Sequence, residues 1–162
     1  MLDKSMVLIL WTNFFDEAAA TALATAFRKT GVRVRLVGLV HGGATGASGL
    51  TIVPDVTLEQ AIAIADRTTV IVIPGTAGAV RRLDNDPRVR ELLSRAHTNH
   101  AVFVTSVEAT HEVTALVIGH DAPLAIESYP ADQGMIEFAV RVAASCSRQM
   151  ANTAHEKQPE GT

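Results

Sequence analysis

Short apolar runs alternate along the chain with longer segments in which apolar and polar residues are mixed. The apolar runs are rich in valine and isoleucine and stop at turn-forming residues, a pattern typical of strands buried in a parallel sheet. They occupy residues 6–11, 32–39, 50–53, 69–73, 101–105 and 124–127. The mixed segments predict helices over residues 16–30, 58–65, 86–96, from about 107 onward, and 135–150.

This alternation predicts an α/β fold with a mostly parallel sheet that is covered by helices on both faces. No repeat or linker interrupts the pattern, so we expect one domain over residues 1–151 and a flexible tail over residues 152–162. We interpret residues 74–78, which follow the most strand-like run, as a loop at the carboxyl end of a central strand, where open α/β sheets bind ligands. The glycine-rich residues 41–49 lack the spacing of phosphate-binding loops, so we interpret them as a linker between strands.

Capping residues define several of the predicted helix ends. Thr57 is a favourable N-cap, and Gln60 stands at the position that completes a capping box. Asp86 precedes Pro87, the arrangement expected of an N-cap followed by proline in the first helical turn. Gly31 follows a basic pair and predicts the end of the first helix.

The composition suits a sheet that is buried on both faces, because 48% of the 162 residues are hydrophobic and the mean hydropathy is +0.21. A net charge of -3 gives no electrostatic reason to expect a nucleic-acid partner or an anionic-membrane partner. No apolar run reaches the roughly 18 residues of a membrane span, and the first residues do not resemble a cleavable signal. We therefore expect a cytoplasmic protein.

Cys146 is the only cysteine of the chain, which excludes an internal disulfide and a cysteine cluster that binds zinc. It falls in the last predicted helix, where its expected role is that of a small apolar core residue. We predict no bound metal ion and no cofactor.

Residues 101–111 contain the most informative candidate for chemistry. The strand-like run ends at Thr105 and Ser106, and residues that can form a helix follow. A serine at this junction lies where the N-terminal amides of a helix have no partners, so it could be a nucleophile or a ligand contact. The alternative is that Ser106 only caps the helix, since serine is a favoured N-cap residue.

The order of these segments resembles the ThiJ/PfpI family, within the class I glutamine amidotransferase-like superfamily. The resemblance implies a flavodoxin-like, Rossmann-like three-layer sandwich, and often a homodimer. The matching segments cover most of residues 6–145 and comprise residues 7–10, 28–31, 34–39, 54–61, 70–75, 86–93, 101–106 and 134–142.

The family's functional residues are matched poorly by this chain. Its elbow cysteine falls on Ser106, and the small residue expected two positions later falls on Glu108. The supporting acid of the first helix falls on Ala19, with Glu17 and Asp16 two and three residues earlier.

Two further parts of the family pattern are altered. The Pro-Gly-Gly turn appears as Pro74-Gly75-Thr76. Gly119-His120-Asp121 leads almost directly to the last strand, so the strands near which some relatives place a histidine are absent from the predicted order.

A serine cannot reproduce the chemistry that the resemblance implies for cysteine, which reacts as a thiolate and can be oxidised. Its hydroxyl needs a general base within hydrogen-bond reach, and the candidates are Asp16, Glu17 and His111. The backbone amides of Thr76 and Val107 could still form an anion pocket.

We expect a divergent ThiJ/PfpI-like protein that has lost the cysteine chemistry and acts in small-molecule binding or in a stress-related role. Its ligand-binding residues would be Gly75, Thr76, Val107 and Glu108. The first alternative is a serine-dependent hydrolase or amidase that uses Ser106. The second is a regulatory or partner-binding subunit.

Overall fold

The computed structural model describes residues 5–117, 123–131 and 134–156. Strands are β1 Met6–Trp11, β2 Arg33–Gly38, β3 Ala44–Thr45, β4 Thr51–Ile52, β5 Val56–Thr57, β6 Thr68–Ile73, β7 Val102–Ser106 and β8 Ile126–Tyr129. Helices are α1 Glu17–Lys29, α2 Leu58–Ala63, α3 Ala77–Arg81, α4 Pro87–Thr98, α5 Thr110–Val117 and α6 Met135–Glu156. Short 3-10 turns lie at Ala65–Arg67, Arg82–Asn85 and Val107–Ala109.

Six strands form one parallel sheet in the order β5-β2-β1-β6-β7-β8. Every residue of β1 is buried, which requires cover on both faces of the sheet because side chains alternate between the faces. Helices α1 and α6 pack against each other, and a second group of helices links α2, α4 and α5. The predicted α/β three-layer class is confirmed.

The predicted helix caps are formed. Thr57 and Gln60 make the reciprocal capping box of α2, with distances of 3.2 and 2.9 Å between the donor nitrogen and the acceptor oxygen. Asp86 accepts the N–H of Arg88 at 3.0 Å, directly ahead of Pro87. Gly31 follows α1 with φ +82, the left-handed conformation that glycine adopts without steric cost.

Several element boundaries differ from those expected. Residues 41–49, interpreted as a linker, contain β3, the first strand of a small antiparallel hairpin with β4. Residues 74–78, interpreted as a loop, include the start of α3. The last strand ends at Tyr129, two residues beyond its predicted end, and α6 continues to Glu156. The local pattern misses β3 because two residues show no strand periodicity, and because the hairpin is held by contacts with Trp11 and Phe14, which are distant in sequence.

Gly119-His120-Asp121 and residues 157–162 lie outside the described residues. Within the described part of the chain, no helix combines the length and the apolar character that crossing a bilayer would require.

Candidate functional site

Ser106 is the last residue of β7, at the carboxyl edge of the sheet between β6 and β8. Its side chain is buried, and its Oγ donates a hydrogen bond of 2.7 Å to the backbone carbonyl of Gly75. The hydroxyl makes no cap hydrogen bond to the turn that follows. The backbone is extended, with φ -70 and ψ 153, so the strained conformation of a nucleophile elbow is not present here.

The preceding residue makes a parallel contact. Thr105 Oγ1 donates to the carbonyl of Ile73 at 2.8 Å, and both groups are buried. Two successive hydroxyl groups therefore attach the end of β7 to the end of β6 and to the turn that follows it. This explains the polar pair that ends an otherwise apolar strand.

Glu17, the first residue of α1, holds the β3–β4 hairpin. Its side chain is buried, and its Oε1 accepts the N–H groups of Ser48 at 2.8 Å and Leu50 at 3.1 Å. Gly46 packs against the same carboxylate, since a Cβ at this position would lie 2.6 Å from Glu17 Cδ. The carboxylate is enclosed by the hairpin that it anchors.

The pKa of Glu17 reflects two opposing effects. Burial acts to raise the pKa, but the backbone N–H groups of Glu17 itself, Leu50, Ser48 and Ala47 outweigh it and hold the pKa below its usual range. A carboxylate that is stabilised in this way is a weak proton acceptor.

Asp16 is the N-cap of α1, and its Oδ1 accepts the N–H of Ala19 at 3.0 Å. Its own N–H donates to the carbonyl of Pro74 at 2.7 Å, which joins the turn after β1 to the turn after β6. The ring of Phe15 fills the space between these turns, because a Cβ on Gly75 would lie 3.1 Å from that ring. The gap between β1 and β6 at the sheet edge is thus occupied by the protein's own side chain.

The other predicted ligand-binding residues surround Ser106 at the surface. Thr76 is exposed and caps α3, accepting the N–H of Ala79 at 3.2 Å. Val107 is 60% exposed, and Glu108 is exposed in the same 3-10 turn. Gly75 is buried beneath them.

His111 is exposed on α5 and lines a cavity of about 290 Å³ that does not include Ser106. Glu112 lies in the same cavity and pairs with Arg81 at 2.7 Å. A further cavity of about 290 Å³ lies beyond the carboxyl end of β2, with His41 in its lining, and it also excludes Ser106. The hydroxyl of Ser106 is hydrogen-bonded to Gly75, and the cavity that His111 lines does not include Ser106.

Tyr129 is the residue of this site that sequence reasoning missed. It pairs in register with Ser106, is 2% exposed, and packs edge-on against Phe138 with ring centroids 6.1 Å apart. Its hydroxyl has no hydrogen-bond partner among the described residues. Burial, and then the charges of Asp16 and Glu108, raise the pKa of Tyr129 above its usual range. The available signal was that Tyr129 is the only tyrosine of the chain.

The described residues contain no group of three or more histidine, cysteine, aspartate or glutamate side chains that could hold a metal ion. Cys146 is buried in α6, and burial together with the charge of Glu127 raises the pKa of its thiol to about 11.

Comparison with known proteins agrees with this architecture. A DJ-1 superfamily protein from Salmonella typhimurium, solved as a cysteine-to-alanine variant, has a TM-score of 0.72 and 18% identity, covering 93% of this chain and 97% of its own. Drosophila melanogaster DJ-1beta has a TM-score of 0.72 and 16% identity, with the same coverage of 93% and 97%. Schizosaccharomyces pombe DJ-1 has a TM-score of 0.70 and 10% identity, covering 95% of this chain and 100% of its own.

Because the sequence identities are only 10–18%, these similarities show a shared fold. A comparison with curated proteins gave no significant match. The model of the DJ-1/PfpI family matches residues 5–115, more than half of the chain. The family resemblance drawn from the sequence is confirmed, and the chain belongs to the DJ-1/PfpI family.

Proposed function

We propose that this protein binds a small molecule at the sheet edge around Ser106 and does not catalyse a reaction there. The observation that carries the proposal is the hydrogen bond of 2.7 Å from Ser106 Oγ to the carbonyl of Gly75. A nucleophilic serine must transfer its proton to a base. A backbone carbonyl is too weak a base to take that proton. The hydrogen bond to Gly75 also points the hydroxyl proton of Ser106 away from other acceptors.

The candidate bases support the same conclusion. Glu17 Oε1 is occupied by two backbone N–H groups of the hairpin. Asp16 caps α1 through Oδ1. His111 lines a cavity that excludes Ser106. Each group that could assist a serine hydrolase therefore has another role or another position.

The surface around Ser106 supports a binding role. Thr76, Val107 and Glu108 are exposed around a buried pair formed by Ser106 and Tyr129. This edge holds the carboxyl ends of parallel strands, where α/β sheets commonly bind ligands. A binding site can therefore persist without the cysteine that the family resemblance implies.

The proposal is tested by screening ester, amide and glyoxal substrates with the wild type and with Ser106→Ala. We expect both proteins to give the background rate. The matched control is Ser48→Ala, which removes the hydroxyl of an exposed serine and leaves its backbone N–H in place.

Turnover by the wild type that is retained in Ser48→Ala and lost in Ser106→Ala would show a serine-dependent enzyme and overturn the proposal. A thermal-shift screen with small carboxylates, amines and aldehydes tests the binding role, because a ligand specific to the folded state raises the Tm.

The homodimer and the cytoplasmic location, which were expected from the sequence, stay predictions, as does the single domain over residues 1–151. Ile136 and Val140 support the homodimer. They lie one turn apart on α6 and are 71% and 57% exposed, so they form an apolar surface that a second copy could cover. Sedimentation equilibrium of the wild type and of Val140→Glu would measure whether this face joins two copies.

A further inference from the structure

The cavity of about 290 Å³ beyond the carboxyl end of β2 is separate from the edge around Ser106 and has no part in the function proposed above. Its walls are the loop that follows β2, the segment that leads into α2, and the side chain of Arg88 from α4. Its volume is close to the lower end of the range found for small-molecule sites. The chemistry of its walls therefore indicates which class of molecule fits.

Contacts within the chain hold these walls in place. Gly38 lies directly against Pro54, since a Cβ on Gly38 would be 2.6 Å from Pro54 Cγ. Asp55 attaches the adjoining segment to β2 twice. Its N–H donates to the carbonyl of Leu36 at 2.8 Å, and its Oδ2 accepts the N–H of Leu36 at 2.9 Å. The capping box of α2 fixes the residues that follow. A ligand would therefore lose little affinity to the ordering of the protein.

Apolar side chains give the cavity a surface that a hydrophobic group can cover. Val40 comes from the loop after β2 and Val53 from the segment before α2, and they are 47% and 75% exposed. Leu39 and Val56 belong to the same walls and are half-buried. An apolar group that contacts these side chains removes their surface, and its own, from water, which favours binding.

The charged side chains of the walls already have partners of opposite charge. Asp55 pairs with Arg28 at 3.3 Å, and Glu59 pairs with Arg88. Arg88 also pairs with Asp86, through hydrogen bonds of 3.0 Å from Nε to Oδ1 and 2.7 Å from Nη2 to Oδ2. All three nitrogens of this guanidinium are thus engaged. A charged ligand would lose hydration and would have to compete with these pairs for a counter-ion, so the cavity favours an uncharged ligand.

His41 supplies a polar contact in the same wall. It is exposed, and its imidazole forms no hydrogen bond or ion pair within the described ranges. A neutral imidazole can donate one hydrogen bond and accept another, which suits a hydroxyl group. We propose that this cavity binds a small uncharged alcohol, whose apolar part contacts Val40 and Val53 and whose hydroxyl meets His41. This is a second site, and it does not depend on the function proposed for the edge around Ser106.

Three probes that share a phenyl ring and differ in charge test the class of ligand. They are benzyl alcohol, benzylammonium and benzoate, compared at equal ionic strength. The reporters are the backbone amide resonances of Gly42 and Gly43 in ¹⁵N-labelled protein, because both residues lie in the cavity wall. We expect benzyl alcohol to shift both resonances in a saturable way. Benzylammonium and benzoate should bind about tenfold more weakly, because neither finds a free counter-ion.

Three variants test the individual contacts. Val40→Ser and Val53→Ser should each weaken benzyl alcohol binding by about threefold, since each removes apolar contact area. His41→Ala should weaken it by about fivefold, the effect of one lost hydrogen bond. All three side chains are exposed, so each variant should keep the wild-type Tm. The matched control is Leu50→Ser, because Leu50 is apolar and 53% exposed but lies outside the cavity wall. Its affinity should not change.

Four results would overturn the inference. If no probe shifts the resonances of Gly42 and Gly43 in a saturable way, the cavity is not a binding site. If either ion binds as tightly as benzyl alcohol, the cavity does not select uncharged molecules. An unchanged affinity in His41→Ala would refute the hydroxyl contact. Equal losses in Leu50→Ser and Val40→Ser would mean that benzyl alcohol binds outside the cavity. The function proposed for the other site fails by a different result, which is turnover abolished by Ser106→Ala.

Discussion

At the scale of single residues, the chemistry of this edge is determined by hydrogen-bond partners. Ser106 and Glu17 are residue types that enzymes use, but both are engaged with the backbone. Tyr129 is the opposite case. It packs in the core, yet its hydroxyl has no hydrogen-bond partner among the described residues. The residue type alone therefore does not predict whether a side chain at this edge can react; its hydrogen-bond partner must be known as well.

Returning a cysteine to position 106 should not create a reactive thiolate. The site is buried, and no lysine or arginine bonds to Ser106 among the described residues, so the pKa of the thiol should lie above its usual value of about 8.5. We expect Ser106→Cys, made in a Cys146→Ala background, to react slowly with iodoacetamide at pH 7. Rapid alkylation that follows a pKa below 7 would contradict this account.

Glu17→Gln should destabilise the protein by about 1–2 kcal/mol, because two charge-assisted hydrogen bonds become neutral ones. Since folding lowers the pKa of Glu17, its contribution is complete above the unfolded pKa of about 4.5 and declines as the pH falls through the folded value. The difference in unfolding free energy between the two proteins should therefore shrink in acid. Urea titrations of both proteins at pH 7 and pH 3 measure this difference in unfolding free energy.

The control for that experiment is Glu91→Gln, which removes one partner of an exposed helical ion pair with Arg95. Such pairs contribute little, so a change below about 0.5 kcal/mol is expected. Equal losses in both variants would mean that the hairpin contacts of Glu17 add nothing to stability.

At the scale of elements, the β3–β4 hairpin depends on α1 and on the turn after β1. Each of its strands has two residues, which is too short for a stable ladder by itself. Hydrogen bonds to the Ala44 carbonyl from Trp11 Nε1 at 2.9 Å and to the Thr45 carbonyl from Phe14 N at 3.0 Å attach it to the end of β1. The hairpin is consequently ordered by its neighbours.

Gly46→Ala tests this dependence. The added Cβ would meet the Glu17 carboxylate at 2.6 Å, so the carboxylate must move and lose its backbone donors. We expect a loss of about 1–2 kcal/mol in unfolding free energy.

Gly78→Ala is the matched control. Gly78 lies in α3, where an added Cβ would have no neighbouring heavy atom closer than 3.9 Å, and alanine favours a helix over glycine by about 0.5–1 kcal/mol. This variant should be neutral or stabilised. If both substitutions have the same effect, the close packing of Gly46 on Glu17 has no energetic consequence.

At the scale of the whole molecule, the single cysteine and the single tyrosine report on the folded state. Cys146 is 5% exposed, and the pKa of its thiol is raised to about 11. Because the thiolate is the reactive form, we expect Cys146 to be inert to a disulfide reagent at pH 8 until the chain unfolds. Reaction in native buffer at the rate of a free thiol would show that α6 opens without global unfolding.

Tyr129 should remain neutral in the folded protein well above pH 10, the usual pKa of tyrosine, because burial and two carboxylates oppose its ionisation. A raised pKa contributes stability that is complete below pH 10 and is lost as the pH rises towards the folded value. Absorbance at about 295 nm should therefore rise only as the protein unfolds. A reversible titration near pH 10 with the fold intact would contradict the burial of the phenol.

Residue pattern and local contacts were sufficient to predict the layered α/β class, the parallel arrangement of the main strands and the capped starts of α2 and α4. These depend on periodicity and on contacts within a few residues, as in the Thr57–Gln60 box. The sequence also identified the family and singled out Ser106 as the residue at the end of an inner strand. Local interactions are encoded locally, so they can be recognised without coordinates.

The contacts of these side chains, in contrast, follow from the packing of the folded chain. Ser106 and Gly75 are 31 residues apart, Glu17 and Leu50 are 33 apart, and Tyr129 meets Ser106 through the register of two strands. Such partners are selected by how elements pack, and a shift of one residue in a strand would send each side chain to the opposite face. The physical reason is that hydrogen bonds form over about 3 Å, a distance that sequence spacing does not specify across a fold.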